Sequence, residues 1–471
     1  MSFQSINFIV FLFIIFLCYW KMPPKYRWIL MLAEGYLFYA SWGKGYVFLL
    51  FGITFFSYAA ALLIDRTKQP VRKHVLTISV VLEIGLLFLF KYLGFFTQIV
   101  NDLSVRVKLS MHIEALKLLL PVGISFYIFQ TIAYLIDVYK EKITAEKHFG
   151  YFAQSVAFFP ILLSGPIERI QHLVSQFKAQ SEFDEENAKA AFQRILFGYL
   201  KKMIIADSLA VYVNQIYGDL YSYSGVALLV VILVYSIEIY CDFSGYSDIA
   251  IGVAGLFGIQ LNPNFERPYF ADSIKDFWGR WHISLTSWFR DYVYIPLGGN
   301  RRGTLKRDRN LIVTFLLSGL WHGANWTFVL WGALHGLLQV VEKRFSEARK
   351  KGVHCPRMIR QVAVFGIVSI AWVFFRSASV GDAIYVLTHC LQGIGNVRNY
   401  FQIDLVSFGI STMQFLLLVI FMFFVFIVEL REEKRKCVLL KPIHIIVVFE
   451  LALFYYMRYG TDSSAFIYFQ F

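Results

Sequence analysis

Charge is scarce in this chain. Of 471 residues, 16% are Asp, Glu, Lys or Arg and 58% are hydrophobic, where soluble domains hold about 25% and about 45–50% respectively. With a mean hydropathy of +0.56, this balance excludes a soluble enzyme and predicts an all-α polytopic membrane protein. Cysteine is scarce too. Cys18, Cys241, Cys355, Cys390 and Cys437 are dispersed and odd in number. Without a CxxC or Cys/His spacing they offer neither a disulfide framework nor a zinc site, and they are read as packing residues. No GxSxG, HExxH or GxxxxGK[ST] motif occurs, which removes the serine-hydrolase elbow, the zincin helix and the P-loop. Gly252, Gly255 and Gly258 follow no strand and precede no lysine, so they read as points of close helix approach rather than a phosphate loop. Internal repeats and low-complexity tracts are also missing.

Aromatic residues are abundant at 18%, with 48 Phe and 28 Tyr, as suits lipid-facing helices and interfacial belts. The formal charge of +13 comes largely from Lys and Arg between apolar runs. Positive-inside bias and anionic lipid account for that placement, and no nucleic-acid partner is expected. The run 3–20 lacks a basic leader and a small-residue cleavage site. It reads as a retained first span with its N-terminus outside.

A span needs about 20 apolar residues. Runs 3–20, 28–43, 46–64, 75–97 and 116–137 qualify, and 191–217, 225–241, 361–376, 411–430 and 442–458 follow. Run 150–166, interrupted by Pro160, Gly165 and Pro166, reads as re-entrant. Residues 171–190 read as a cytoplasmic loop, 246–261 as a separate glycine-bearing run, 262–310 as a basic, aromatic cytoplasmic segment, and 311–341 as a re-entrant helical pair. The expectation is one membrane domain over 1–471, with about ten crossings and both termini outside.

His322 lies in Leu320-Trp321-His322-Gly323-Ala324-Asn325-Trp326, between apolar runs 311–321 and 326–341. As a helix, 311–321 rises about 16 Å, roughly half of a 30 Å hydrocarbon core. Cationic segments Arg301–Arg309 and Lys343–Lys351 flank the pair, so the turn is expected near mid-membrane. Imidazolium is costly there, and a neutral histidine can act as a general base. Gly323 and Ala324 leave room for a ligand, and Asn325 is placed to orient the ring. The alternative is a structural histidine hydrogen-bonded between helices.

A second constellation runs from Asp276 through Trp278, Gly279, Arg280, Trp281, His282 and Ser284 to Trp288, Arg290 and Tyr292. Its aromatics recur at helical spacing, which predicts an amphipathic helix at the cytoplasmic interface with His282 near the apolar face. A simple interfacial anchor has the same pattern. Arg301 and Arg302, in Pro296-Leu297-Gly298-Gly299-Asn300-Arg301-Arg302-Gly303, suit a phosphate-bearing donor and equally suit positive-inside charge. No metal site is expected.

Asp276-Phe277-Trp278-Gly279-Arg280-Trp281-His282 and Gly319-Leu320-Trp321-His322-Gly323-Ala324 resemble the paired signatures of membrane-bound O-acyltransferases. Pro121-Val122-Gly123-Ile124-Ser125-Phe126-Tyr127, Phe159-Pro160 with Gly165-Pro166-Ile167, and Asp242-Phe243-Ser244-Gly245-Tyr246-Ser247-Asp248 resemble its bacterial alginate O-acetylation branch. So do Tyr294-Ile295-Pro296-Leu297-Gly298-Gly299-Asn300-Arg301 and Phe466-Ile467-Tyr468-Phe469-Gln470-Phe471. The resemblance implies a funnel-shaped helical domain with a central tunnel, located as a multi-pass protein in the bacterial inner membrane. His322 matches the catalytic histidine and His282 the second signature histidine. The donor implied is cytoplasmic acetyl-CoA, with no bound cofactor. The acetyl group is expected to reach a polysaccharide through an extracytoplasmic SGNH-type acetyltransferase. On this reading Trp278, Arg280, Trp281, Arg301, Arg302, Asn325 and Trp326 bind substrate, with Arg309 beside the donor phosphates. D-alanyl or other acyl transfer to teichoic acid or peptidoglycan is the alternative, and a polytopic transporter a more distant one.

Overall fold

Apolar segments that leave water must close their backbone hydrogen bonds internally, and helices do so. The computed structural model describes residues 1–109, 112–114, 118–179, 181–301, 303–348, 356–396, 400, 411–435 and 442–460, and among them every regular element is helical. Arg302, Cys355, Cys437, residues 349–351 and the motif at 466–471 lie outside the described residues. Five described helices are long and apolar enough to cross a membrane: Lys44–Arg66, Val71–Arg106, Val226–Leu256, Arg357–Arg376 and Thr412–Arg431. Ile6–Lys21 and Ile124–Tyr139 are apolar but shorter. The chain divides into two compact units, one of residues 1–191 with 250–262 and one of 192–249 with 263–471.

The first unit contains α1 (Ile6–Lys21), α2 (Arg27–Ala40), α3 (Lys44–Arg66), α4 (Val71–Leu87), α5 (Leu93–Arg106), α6 (Ile124–Tyr139), α7 (Phe149–Val156), α8 (Phe159–Leu162) and α9 (Ile170–Ala179). α10 (Glu185–Tyr199) starts there. Buried Glu83 on α4 accepts hydrogen bonds from Ser57 on α3 at 2.6 Å and Thr131 on α6 at 2.8 Å, so three apolar helices share one satisfied carboxyl group. The expected re-entrant run 150–166 holds two short helices, α7 and α8, separated at Ala157 and Phe158, with Pro160 in the first turn of α8, and it is buried in protein. Residues 171–190, expected as a loop, instead form α9 and the start of α10. Ile170, Leu173 and Val174 supply a buried stripe at helical spacing that the polar composition hides.

The second unit contains α11 (Asp207–Gly218) and most of α12 (Val226–Leu256). Then come α13 (Ile274–Arg280), α14 (Ile283–Phe289), α15 (Thr304–His322), α16 (Trp326–Ala348), α17 (Arg357–Arg376), α18 (Val380–His389), α19 (Thr412–Arg435) and α20 (Pro442–Tyr459). Runs 225–241 and 246–261, expected as separate elements, belong to one unbroken 31-residue helix as far as Leu256. Gly245 does not end it, because the missing side chain serves contact: a Cβ there would stand 2.8 Å from the Gly198 carbonyl oxygen. Lys201 and Lys202 lie on a π-helical turn, Leu200–Ala206, and are buried but paired. Lys201 reaches Asp248 at 2.9 Å and Glu429 at 3.6 Å, while Lys202 reaches Asp207 at 2.8 Å and also Asp242.

Candidate active site

α15 and α16 form an antiparallel hairpin whose backbones touch. A Cβ on Gly319 would lie 2.2 Å from the Phe328 carbonyl oxygen, and one on Gly332 2.3 Å from that of Phe315. Only glycine permits this approach. α15 is longer than the apolar run that announced it, 19 residues instead of 311–321, because its charged first turns are satisfied. Asp308 accepts from Arg307 at 2.9 Å and from Arg344 of α16 at 2.6 Å. The arm therefore rises about 28 Å rather than about 16 Å.

His322 ends α15 and is 2% exposed. Aromatic rings pack around it: Trp321 and Trp331 with centroids at 5.0 Å and Phe375 at 5.2 Å. The ring of His282 lies 6.4 Å away. Two histidines forty positions apart in sequence thus share one buried, aromatic site.

His282 arrives there by a break. The predicted single amphipathic helix over 276–292 is instead α13 and α14, joined through Trp281 and His282, and His282 adopts left-handed backbone angles, φ 43° and ψ 52°. It is 0% exposed, no interfacial anchor. Burial lowers its pKa to about 3, so the imidazole is neutral at ordinary pH. Its Nδ1 lies 3.1 Å from Asn264 Oδ1, and Phe243 of α12 packs edge-on at 4.6 Å.

The signature around His282 is held on the hairpin. Glu342 of α16 accepts the backbone N–H groups of Ile274 at 2.8 Å and Lys275 at 3.0 Å, capping α13. Trp278 is buried, and its Nε1–H donates to His335 Nδ1 of α16 at 3.2 Å. Trp281 packs against Trp372 at 4.9 Å and Phe265 at 5.0 Å. These tryptophans build the wall. Arg280 is ion-paired to Asp276 at 3.0 Å, one turn back on its own helix.

Asn325 does not orient His322, as expected from its neighbourhood in sequence. Its Oδ1 accepts from Thr327 N–H at 3.1 Å, while its Nδ2 donates to the Ala378 carbonyl at 2.8 Å. Its oxygen thus opens α16 and its nitrogen holds the segment after α17. Trp326 is 54% exposed, and the α16 tryptophan on the His322 ring is Trp331, one and a half turns further along. Arg301 is exposed beside a turn shaped by Asn310, whose Nδ2 donates to the Leu297 and Gly299 carbonyls at 3.2 and 3.1 Å. Arg309 is exposed as well. Sequence reasoning missed Asn264, Trp331 and Phe375, and gave His335 no place in the site. The spacing of Trp331 and His335, one helical turn, was the available signal; Asn264, in an irregular segment, gave none.

Residues 141–381 match the sequence profile of the membrane-bound O-acyltransferase family. The chain is 39% identical over 390 residues to a probable alginate O-acetylase of Azotobacter vinelandii, covering 80% of this chain and 76% of that one. It is 37% identical over 392 residues to a peptidoglycan O-acetyltransferase of Helicobacter pylori, covering 77% and 73%. A teichoic acid D-alanyltransferase of Streptococcus thermophilus is 28% identical over 272 residues, covering 55% and 65%.

Proposed function

Given that this chain belongs to the membrane-bound O-acyltransferase family, we propose that it moves acetyl groups from cytoplasmic acetyl-CoA across the bacterial inner membrane for O-acetylation of a cell-surface or exported polysaccharide. The observation that carries the chemistry is the meeting of His282 and His322 inside one buried aromatic site. A thioester is already activated, so the reaction asks for removal of a hydroxyl proton rather than a covalent nucleophile. His322 takes that proton as the hydroxyl oxygen attacks the acetyl carbonyl. The C–O bond forms, the C–S bond breaks, and His322 returns the proton to the departing thiolate. General-base assistance of this kind is worth about 10²–10⁴-fold.

Arg301 and Arg309, both exposed, meet the donor's phosphates on this reading, and Arg302 belongs to the same loop by sequence. Trp278 and Trp281 shape the wall, while Arg280 is assigned to the rim of the donor entrance. The acceptor is reached through an extracytoplasmic SGNH-type transferase. Acetyl is favoured over D-alanyl as the cargo because similarity to O-acetylating relatives is higher and covers more of the chain.

Labelled acetyl-CoA supplied to purified protein with acceptor tests the reaction. Transfer is expected from the wild type and lost from His322→Gln at equal membrane abundance. Full activity in that variant would overturn the assignment of the base.

A further inference from the structure

Asn264 stands outside both histidine signatures, yet three groups around His282 converge on it. Its backbone carbonyl accepts from Ile283 N–H at 2.9 Å. Its Oδ1 accepts from Ser284 N–H at 3.3 Å and from Ser284 Oγ at 2.9 Å, and faces His282 Nδ1 at 3.1 Å. Asn264 is 1% exposed.

These contacts identify a proton. A backbone N–H can only donate, so the Asn264 atom facing Ser284 is the amide oxygen and not the nitrogen. The opposite edge agrees, since Nδ2 donates to Ser247 Oγ at 3.4 Å. A carbonyl oxygen can only accept, so Nδ1 of His282 carries hydrogen. In a neutral imidazole the second nitrogen then holds the lone pair. The backbone points the same way. A left-handed conformation at a non-glycine residue costs about 1–2 kcal/mol, and Asn264 binds the two N–H groups that follow it.

We propose that Asn264 is a positioning residue of the acyl-transfer site, which fixes His282 as the Nδ1–H tautomer and so makes Nε2 a hydrogen-bond acceptor. This rests on the acyl-transfer reading above and deepens it. Because the hydroxyl proton goes to His322, His282 accepts a hydrogen bond from its histidine partner. It does not donate to the oxygen of the tetrahedral intermediate, and that donor must come from another group.

His322 of α15 is a titratable group facing His282, and Phe243 of α12 and Trp321 of α15 also pack on its ring. Replacing the amide with a carboxylate places a negative charge beside Nδ1. It stabilises imidazolium, so Nε2 is protonated at a higher pH than before.

Solid-state ¹⁵N spectra of histidine-labelled full-length protein in lipid, assigned by difference from His282→Gln, test this directly. Protonated Nδ1 and unprotonated Nε2 are expected in the wild type, with the proton redistributed in Asn264→Leu. A wild-type spectrum with the proton on Nε2 overturns the proposal. In transfer assays Asn264→Leu should lower kcat by about 10–100-fold with the acetyl-CoA KM unchanged. Asn264→Asp, which keeps the acceptor, should recover activity toward alkaline pH with a new acid limb; equal, pH-independent losses in both variants also overturn it. If the spectra are as expected but wild-type protein transfers nothing from acetyl-CoA, the tautomer stands and the donor assignment falls.

Discussion

His282 and His322 face each other with ring centroids 6.4 Å apart, one at a left-handed break between two short helices and the other on the last residue of a 19-residue helix. Neither backbone could bring its histidine there alone. If both rings act on one hydroxyl, their contributions are not additive. His282→Gln and His322→Gln should each lower acetyl transfer by about 10²–10⁴-fold. The double variant should be no worse than the poorer single one, measured with labelled donor at equal protein abundance. Losses that multiply would place the histidines in independent steps.

The hairpin that carries His322 depends on backbone contact. Gly319→Ala and Gly332→Ala insert carbon 2.2 and 2.3 Å from carbonyl oxygens of the facing helix. The helices must part, and both variants should lose thermal stability and nearly all transfer. Gly366→Ala in α17 is the control, because a Cβ there meets nothing within 4 Å. Its melting point should be unchanged or higher, since alanine is favoured over glycine in a helix by about 1 kcal/mol.

Asn325 and Asn264 make a contrasting pair. Asn325→Ala removes the group that meets Thr327 N–H at the start of α16. Loss of such a cap costs about 0.5–2 kcal/mol, so a lower melting temperature is expected with much of the catalytic rate retained. A kcat loss as deep as that of Asn264→Leu would return Asn325 to the ring of His322.

In the first unit, His172 Nδ1 lies 2.9 Å from Glu168 Oε2, and this hydrogen bond raises the His172 pKa above its ordinary 6.5. Glu168 also accepts from the Asn262 side chain at 2.9 Å. Because the folded value is the higher one, the pair contributes fully below pH 6.5 and is lost as pH rises through the raised folded value. Wild-type protein should therefore lose melting temperature across that window more steeply than His172→Gln. Parallel curves would show that the pair contributes nothing.

Much of the site was legible one residue at a time. The helical class followed from composition, and the two histidine signatures were visible as unusual polar groups among aromatics. The helix boundaries were less so. Runs 225–241 and 246–261 looked separate, yet Gly245 between them is a contact within one helix, because a glycine's effect depends on what stands opposite it. The polar stretch at 171–190 looked like a loop because its buried stripe is narrow. His282 looked like the edge of one long helix because local periodicity does not register a single left-handed residue.

Composition and pattern by themselves determined that this chain is a helical membrane protein and which histidines stand out in it, since the shortage of charge and the position of rare titratable groups are properties of the string. Tertiary structure decided where those histidines stand and what surrounds them. Their meeting, the tryptophan wall and the Asn264 oxygen on Nδ1 join residues from separate helices and from an irregular segment between them. Asn325, nearest to His322 in sequence, was spent on a helix end, and Asn264, eighteen positions before His282, took the place beside a ring. Hydrogen bonds go to whichever partner the backbone path brings within about 3 Å, and no local pattern encodes that path.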